Sequence, residues 1–359
     1  MKSRKSGTND DSPNGASASA SDRGQPKARA VIRDVARLAG VSYQTVSRVI
    51  NDQPKVAPET RARVVEAIRQ LDYRPHSAAR TLTTGRSRTI GVITFGVTDY
   101  GPSAVLQSLS QAAEEAGYFV NVVVLRALGK RAILDAVERL SDQGVDGLVT
   151  LAPRRSLGAA LLGVPHGPPM IALDDSLDDS VAVVATDEAG GARTAVEHLL
   201  QLGHMTVWHI AGPTDWIVAD ERQQGWRQAL EDAGATANEP LRGDWSAASG
   251  YQAGVLLAST QTATAIFAAN DQMALGALLA LHEAGKRIPG DVSVVGFDGS
   301  PEGAYFHPPL TSVRPDFAET GKRCIELMLD LISSGSNRRE RVVVPTSLIV
   351  RRSSGRAPA

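Results

Sequence analysis

Apolar side chains recur at Ile32, Val35, Ala36 and Ala39, the spacing of one buried helical stripe, and the pattern stops at Gly40-Val41-Ser42. Ser42 offers a side-chain oxygen to the free N–H groups of a new turn, so a second helix is predicted to start there. That helix turns Val46, Val49 and Ile50 inward and leaves Tyr43, Gln44, Ser47 and Arg48 facing out. A third helix is predicted from Pro58 to about Leu71, closing a small core with Val64, Ile68 and Leu71. Pro58 suits a first helical position, but Ala57 before it, like Val31 before the first helix, has no side-chain oxygen to cap with. Two short helices around a Gly-containing turn, the second opening on polar and planar side chains, form a helix-turn-helix able to enter a DNA major groove. There Gln can bond adenine through both ends of its amide, and Arg can fork onto guanine.

Beyond Thr89 the period changes. TIGVITF, FVNVVVL, GLVTLA, PMIALD and VAVVATD are short apolar runs, followed by TVWHIAG, AIFAAN, VSVVGFD and a terminal RVVVPTSLIVR. Continuous apolar strands alternating with helices imply parallel sheets covered on both faces, and the length of this region suggests two doubly wound lobes. The predicted class is therefore α/β, with an all-α helix-turn-helix headpiece ahead of a two-lobed core. Ligands of such sheets bind at the carboxyl ends of strands. Asp174, Asn270 and Asp298 fall at such ends, where they can bond sugar hydroxyls or, equally, cap the next helix. Arg222 offers a rigid fork for two hydroxyls, and Trp245 a flat apolar face that suits either a sugar ring or the core.

Charge sharpens the division. Residues 1–88 hold 17 Lys+Arg against 8 Asp+Glu, a balance of +9; the remainder holds 21 against 31, or −10, which together give the net charge of −1. A basic head on an acidic body is the footprint of a nucleic-acid module joined to something else. The single cysteine, Cys324, permits no intramolecular disulfide or Cys-based metal cluster and reads as a buried small hydrophobe. No apolar run is long enough to cross a bilayer. Residues 1–29 begin basic without reaching an apolar core, so they read as a disordered polar arm and not a secretory signal, and the expected location is cytoplasmic.

GVSYQTVSRVIN at 40–51 and TRARVVEAIRQLDYRP at 60–75 resemble the DNA-binding headpiece of the lactose-repressor family, and the resemblance runs over essentially residues 31–351. It implies base reading by Tyr43, Gln44 and Arg48 and phosphate contacts from Ser47 and Asn51, with Ser42 among the DNA-binding positions. Residues 74–88, RPHSAARTLTTGRSR, read by composition as a linker with a potential short helix at 77–82. The resemblance makes that a hinge helix whose Leu82 wedges into the minor groove at the operator centre. It also implies the fold of periplasmic sugar-binding proteins: two lobes, three crossovers and a cleft. ANDQMALGA, VGFDGSPE, GDWSAASGYQ and the Arg three residues before Gly225-Trp226 match the inducer-contacting segments of lactose-type members. Carried over, Asp174, Arg222, Trp245, Asn270 and Asp298 would bind the effector, with Tyr100 and Phe317 as further cleft-wall candidates. Tyr100 and Pro315 depart from the lactose-type pattern, so the sugar need not be a lactose derivative.

The expected organisation is an arm at 1–29, a helix-turn-helix domain at 30–75, a hinge and linker at 76–88, a core at 89–351 and a tail at 352–359. Within the core the first lobe takes about 89–187 and 316–345, the second about 188–315 and 346–351. The expected function is a repressor that binds a pseudo-palindromic operator as a homodimer and is released by a small β-galactoside- or β-glucoside-type sugar. No leucine heptad follows Val350, which favours a dimer. No cofactor, metal, catalytic residue or membrane partner is expected. The alternatives are a co-repressed or purine-responsive member of the same family, a sugar-binding enzyme, or a transport-type receptor. The chain has no phosphate-binding Gly-x-x-x-x-Gly-Lys-Ser/Thr loop, no His-Glu-x-x-His helix and no Gly-x-Ser-x-Gly elbow, which argues against an enzyme. A receptor explains neither the basic headpiece nor the lack of a signal sequence.

Overall fold

The computed structural model describes residues 30–50, 55–73, 85–95, 99–125, 129–151, 167–173, 181–335 and 339–358, and the chain divides into two compact units at Thr83/Thr84. The expected arm at 1–29, the hinge helix at 77–82, and Asn51, Leu82 and Asp174 lie outside the described residues. Among the described residues no helix is long and apolar enough to cross a membrane.

The first unit holds α1 (Ile32–Ala39), α2 (Tyr43–Ile50) and α3 (Pro58–Gln70). Val35, Ala36, Ala39, Val46, Val49, Val64, Ala67 and Tyr73 form its core, with Ile50, Ile68 and Leu71 packed at the margin. These are the helical stripes predicted from spacing.

The second unit carries two six-stranded sheets. The first contains β1 (Thr89–Thr94), β2 (Phe119–Val124), β3 (Gly147–Leu151), β4 (Met170–Ala172), β5 (Ala182–Thr186) and β11 (Arg341–Val344). Its order is β11-β5-β4-β3-β1-β2, parallel throughout, with Ile90 beside Gly147 and Arg341 beside Val183. Helix α5 (Lys130–Asp142) covers one face through Ile133, Ala136, Val137 and Leu140. Helices α4 (Tyr100–Glu115) and α10 (Phe317–Ser334) cover the other through Leu109, Ala113, Cys324, Ile325, Met328 and Leu331. Cys324 is a fully buried free thiol, as its apolar surroundings predict.

The second sheet contains β6 (Trp208–Ala211), β7 (Leu241–Arg242), β8 (Ala265–Ala268), β9 (Ser293–Phe297), β10 (Thr311–Pro315) and β12 (Thr346–Ile349), in the order β12-β10-β9-β8-β6-β7. Only β12 runs antiparallel to its neighbour. Successive residues serve opposite faces. Ile266, Ala268 and Val294 meet α8 (Ala247–Ala258) and α9 (Asp271–Glu283), while Phe267, Val295 and Phe297 meet α6 (Glu188–Gln201) and α7 (Ile217–Asp232). Helices α8 and α9 approach at Gly250 and Gly276, where any Cβ would strike the backbone of Met273 or Ala247.

The chain crosses between the sheets three times: from β5 to α6, from β10 to α10, and from β11 to β12. The last crossing divides RVVVPTSLIVR, read from sequence as one run, at Pro345. Proline lacks the N–H a continuing ladder needs, so the run serves the edges of two different sheets. Strands β7 and β10 carry too few apolar residues to stand out by pattern; TSVRP has one aliphatic side chain.

Candidate functional site

In the first unit the turn is built as its sequence requires. Gly40 takes φ +63°, the left-handed conformation that ends α1. Ser42 Oγ accepts from the Thr45 N–H at 3.2 Å and opens α2. The Val31 N–H is satisfied from within α1, donating to Asp34 Oδ2 at 3.0 Å. Tyr43, Gln44 and Arg48 are exposed, Tyr43 to 57%, whereas Ser47 is half-buried with a polar partner of its own. α2 therefore presents a tyrosine, an amide and a guanidinium to the outside while Val46 and Val49 fix it to the core.

In the second unit a cleft opens between the two sheets, at the carboxyl ends of their strands. Leu151, Leu173, Ala185 and Thr186 end strands of the first sheet; Gly101, Pro102, Val105, Phe317 and Thr320 come from α4 and α10; Glu188, Trp216, Val218, Glu221 and Arg222 come from the second lobe. The wall is mostly apolar and aromatic with a few charged groups, the composition of a small-molecule site. Tyr100 packs edge-on against Phe317 with centroids 6.1 Å apart, beside this wall.

Arg222 is the buried hub. Its Nε donates to Glu188 Oε2 at 2.7 Å, Nη2 lies 3.2 Å from Asp298 Oδ1, and Nη1 donates to the Ala269 carbonyl. Its guanidinium sits 3.7 Å from the centroid of Phe297, a cation–π contact. Desolvation pulls the Arg222 pKa down, but Glu188 and Asp298 outweigh it and the net shift is upward. Burial pushes Asp298 up to about 8 against the pull of Arg222, and its backbone adopts φ +99°. Burial likewise raises the Tyr100 phenol, with Asp298 adding to the shift.

Asn270 and Trp245 stand behind this hub. Asn270 Oδ1 caps α9 by accepting from the Met273 N–H at 2.9 Å, and Nδ2 donates to the Trp245 carbonyl at 3.0 Å. Trp245 is buried, at φ +74°, edge-on to Trp216 with centroids 5.6 Å apart and 5.8 Å from the Arg222 guanidinium. Its ring occupies the space a side chain at Gly212 would need, and its buried indole Nε1 has no partner among the described residues. Asp271 is wholly structural, accepting from the Ser300 N–H and Ser312 Oγ at 2.6 Å each.

The structure thus places Arg222 and Phe317 in the cleft wall, Asp298 against Arg222 and Tyr100 against Phe317, with Trp245 and Asn270 packed behind Arg222. Sequence reasoning missed Glu188 and Trp216. Glu188 follows the end of VAVVATD, so the strand-end rule applied to Asp174 would have found it; Asp187 beside it is the cap of α6. Trp216 lies in a loop with no periodic signal.

A helix-turn-helix in one unit and a two-lobed binding cleft in the other define a ligand-responsive DNA-binding regulator. Comparison with known families agrees. A model of bacterial regulatory proteins of the lacI family matches residues 31–76, and one of the periplasmic binding protein-like domain matches residues 196–354. The chain is 35% identical over 323 residues to the lactose operon repressor of Escherichia coli (strain K12), covering 89% of each. A crystal structure of the lac repressor dimer bound to operator and the anti-inducer ONPF superposes with a TM-score of 0.81 at 33% identity, over 91% of this chain and 100% of that one. The complex of the transcriptional regulator CelR with cellobiose superposes at 0.67 and 32% identity, over 90% and 100%. The chain belongs to the lacI family of bacterial regulatory proteins, and it is a DNA-binding transcriptional regulator, not an enzyme.

Proposed function

We propose that the chain is a sugar-responsive repressor: a dimer that holds a pseudo-palindromic operator through α2 of each protomer and lets go when a small saccharide of the β-galactoside or β-glucoside type fills the cleft. The observation that carries this reading is the cleft itself, walled by both lobes, with a buried guanidinium and carboxylates set among Trp216, Phe317 and aliphatic side chains. Such a surface combines a face for a sugar ring with groups for its hydroxyls. Relatives crystallised with ONPF and with cellobiose support a glycoside-sized occupant.

In this reading Tyr43, Gln44 and Arg48 read base edges, Ser42, Ser47 and Asn51 help hold the phosphates, and Leu82, on a hinge spanning 76–88, wedges the operator centre. Arg222, Phe317 and Tyr100 meet the effector first; Asp298, Asp174, Trp245 and Asn270 complete the site. Dimerisation is supported by exposed apolar side chains on α8 and α9 (Val255, Leu256, Leu275 and Leu279) and by Tyr305, 89% exposed. Sugar weakens DNA binding only by its preference for the low-affinity state, typically about 1–3 kcal/mol of coupling.

The test is binding of the purified protein to its own upstream DNA across a salt series, with a panel of disaccharides. Tight binding with a steep salt slope, relieved by one sugar, is the expected outcome. Tightening by a sugar would make that sugar a co-repressor, and indifference to the whole panel would remove the saccharide reading.

A further inference from the structure

Among the described residues, the charges at the base of the cleft do not balance. Arg222, Glu188 and Asp298 are each more than nine-tenths buried, so one guanidinium serves two carboxylates. Glu188 has the closer share. Its Oε2 accepts from Arg222 Nε at 2.7 Å and its Oε1 from Thr186 Oγ1, so both oxygens act as acceptors. Asp298 receives Arg222 Nη2 at 3.2 Å and has a second buried carboxylate, Asp271, as a neighbour in the same field. Burial raises Asp271 too, to about 6, but the Ser300 N–H, Ser312 Oγ and the field of Arg351 hold it below neutrality, so near pH 7 it is mostly ionised.

From the other lobe Asp298 faces the start of α4. A Cβ on Gly101 would stand 3.8 Å from Asp298 Oδ1, and Tyr100 feels the Asp298 charge together with those of Glu302, Asp271 and Arg314. Among the described groups, Arg222 is therefore the cation in contact with Asp298. Carboxylates that share one counter-ion away from water do not all stay ionised; the one with the longer contact and the nearer like charge takes up a proton.

We propose that Asp298 is a neutral carboxylic acid at neutral pH, giving the cleft a hydrogen-bond donor where its residue type suggests an acceptor. Burial drives this, moving its titration up to about 8. The inference rests on the reading of this cleft as the effector site. It adds a chemical class: Arg222 N–H and the Asp298 O–H both donate, so this corner fits the hydroxyl or ring oxygens of an uncharged glycoside and offers an ammonium group no acceptor. Effector binding is then linked to the proton. Affinity falls as pH rises, about tenfold for each unit above the titration of Asp298.

Difference infrared spectroscopy on the full chain, without effector, reads the proton directly. The expected result is a protonated carboxylic C=O band at about pH 7 that is lost by about pH 9, is absent from Asp298→Asn and is kept by Asp271→Asn. Glu188→Gln gives Arg222 undivided to Asp298 and moves the loss of the band to lower pH. This second variant keeps the question open to measurement if Asp298→Asn does not fold. No band at neutral pH, or a band that survives Asp298→Asn, overturns the proposal. A band that behaves as expected in a protein that binds no disaccharide leaves the proton assignment standing and removes the saccharide reading instead.

Discussion

Three of the five N–H donors of Arg222 are committed inside the fold, to Glu188, Asp298 and the Ala269 carbonyl, which leaves two for a ligand. A substitution here therefore cannot touch effector binding alone. Arg222→Ala strands Glu188, which is buried and ordered around the guanidinium, and removing one partner of a buried ion pair costs about 3–5 kcal/mol. Urea denaturation of the full chain should show a loss of that size in the cleft-bearing unit; a loss well under 1 kcal/mol would mean that water reaches Glu188 freely. The same crowding explains how much of the site could be read in advance. Strand-end position singled out Asn270 and Asp298 as candidates, and residue type singled out Arg222, which lies within α7. They do not say that Asn270 spends its amide on a helix cap and on the Trp245 carbonyl. Glu188 was open to the same strand-end rule, but its pairing with Arg222 depends on the crossing from β5 to α6, a matter of topology.

Helix boundaries were legible wherever a cap is chemical. Ser42 starts α2 and Gly40 ends α1 for reasons carried by single residues, and the apolar strands announce themselves because both faces are buried. β7 and β10 escaped because their neighbours, not their own side chains, hold them in the sheet. At α3 the sequence predicts a weakness that the structure retains. Ala57 occupies the cap with extended backbone, φ −57° and ψ 140°, and no side-chain acceptor. The geometry is ready for a serine hydroxyl to accept from the first-turn N–H groups. Ala57→Ser is expected to stabilise the first unit by about 0.5–2 kcal/mol, seen as slower amide exchange across Pro58–Gln70 in the full chain. Unchanged exchange there would mean that α3 opens only together with its whole unit.

Across the cleft-bearing unit, the buried ionisable groups set opposing limits on stability. His209 lies between the rings of Trp226 and Phe267, at centroid distances of 5.2 and 4.9 Å, with Nδ1 2.9 Å from the Phe267 carbonyl and a buried Nε2 that has no partner among the described residues. Burial holds it neutral, its pKa pushed down to about 3. His204 is lowered for the same first reason, and it ties the end of the chain down: Nε2 meets Ser293 Oγ at 3.1 Å and the Gly355 carbonyl at 3.2 Å, while Ser353 is buried among Thr311 and Val294. For both histidines the unfolded chain takes the proton first. Their contribution is complete above the ordinary histidine value and is lost as pH falls below it, for His209 by about 3 kcal/mol at pH 4. Asp298 has the opposite sign. Its folded-state pKa is raised, so its contribution is complete only below the ordinary aspartate value and is lost as pH rises through about 8. Burial also raises Asp271, to about 6, so between the ordinary aspartate and histidine values the carboxyl and histidine contributions offset each other, and above the histidine value the Asp298 loss stands alone. Thermal melting should show stability falling between about pH 6.5 and 8, and His209→Leu should leave that fall unchanged while altering the slope of the acid limb. An acid limb of the same slope in His209→Leu would assign the loss to the carboxylates on the surface, and the stacked histidine would then carry no proton linkage.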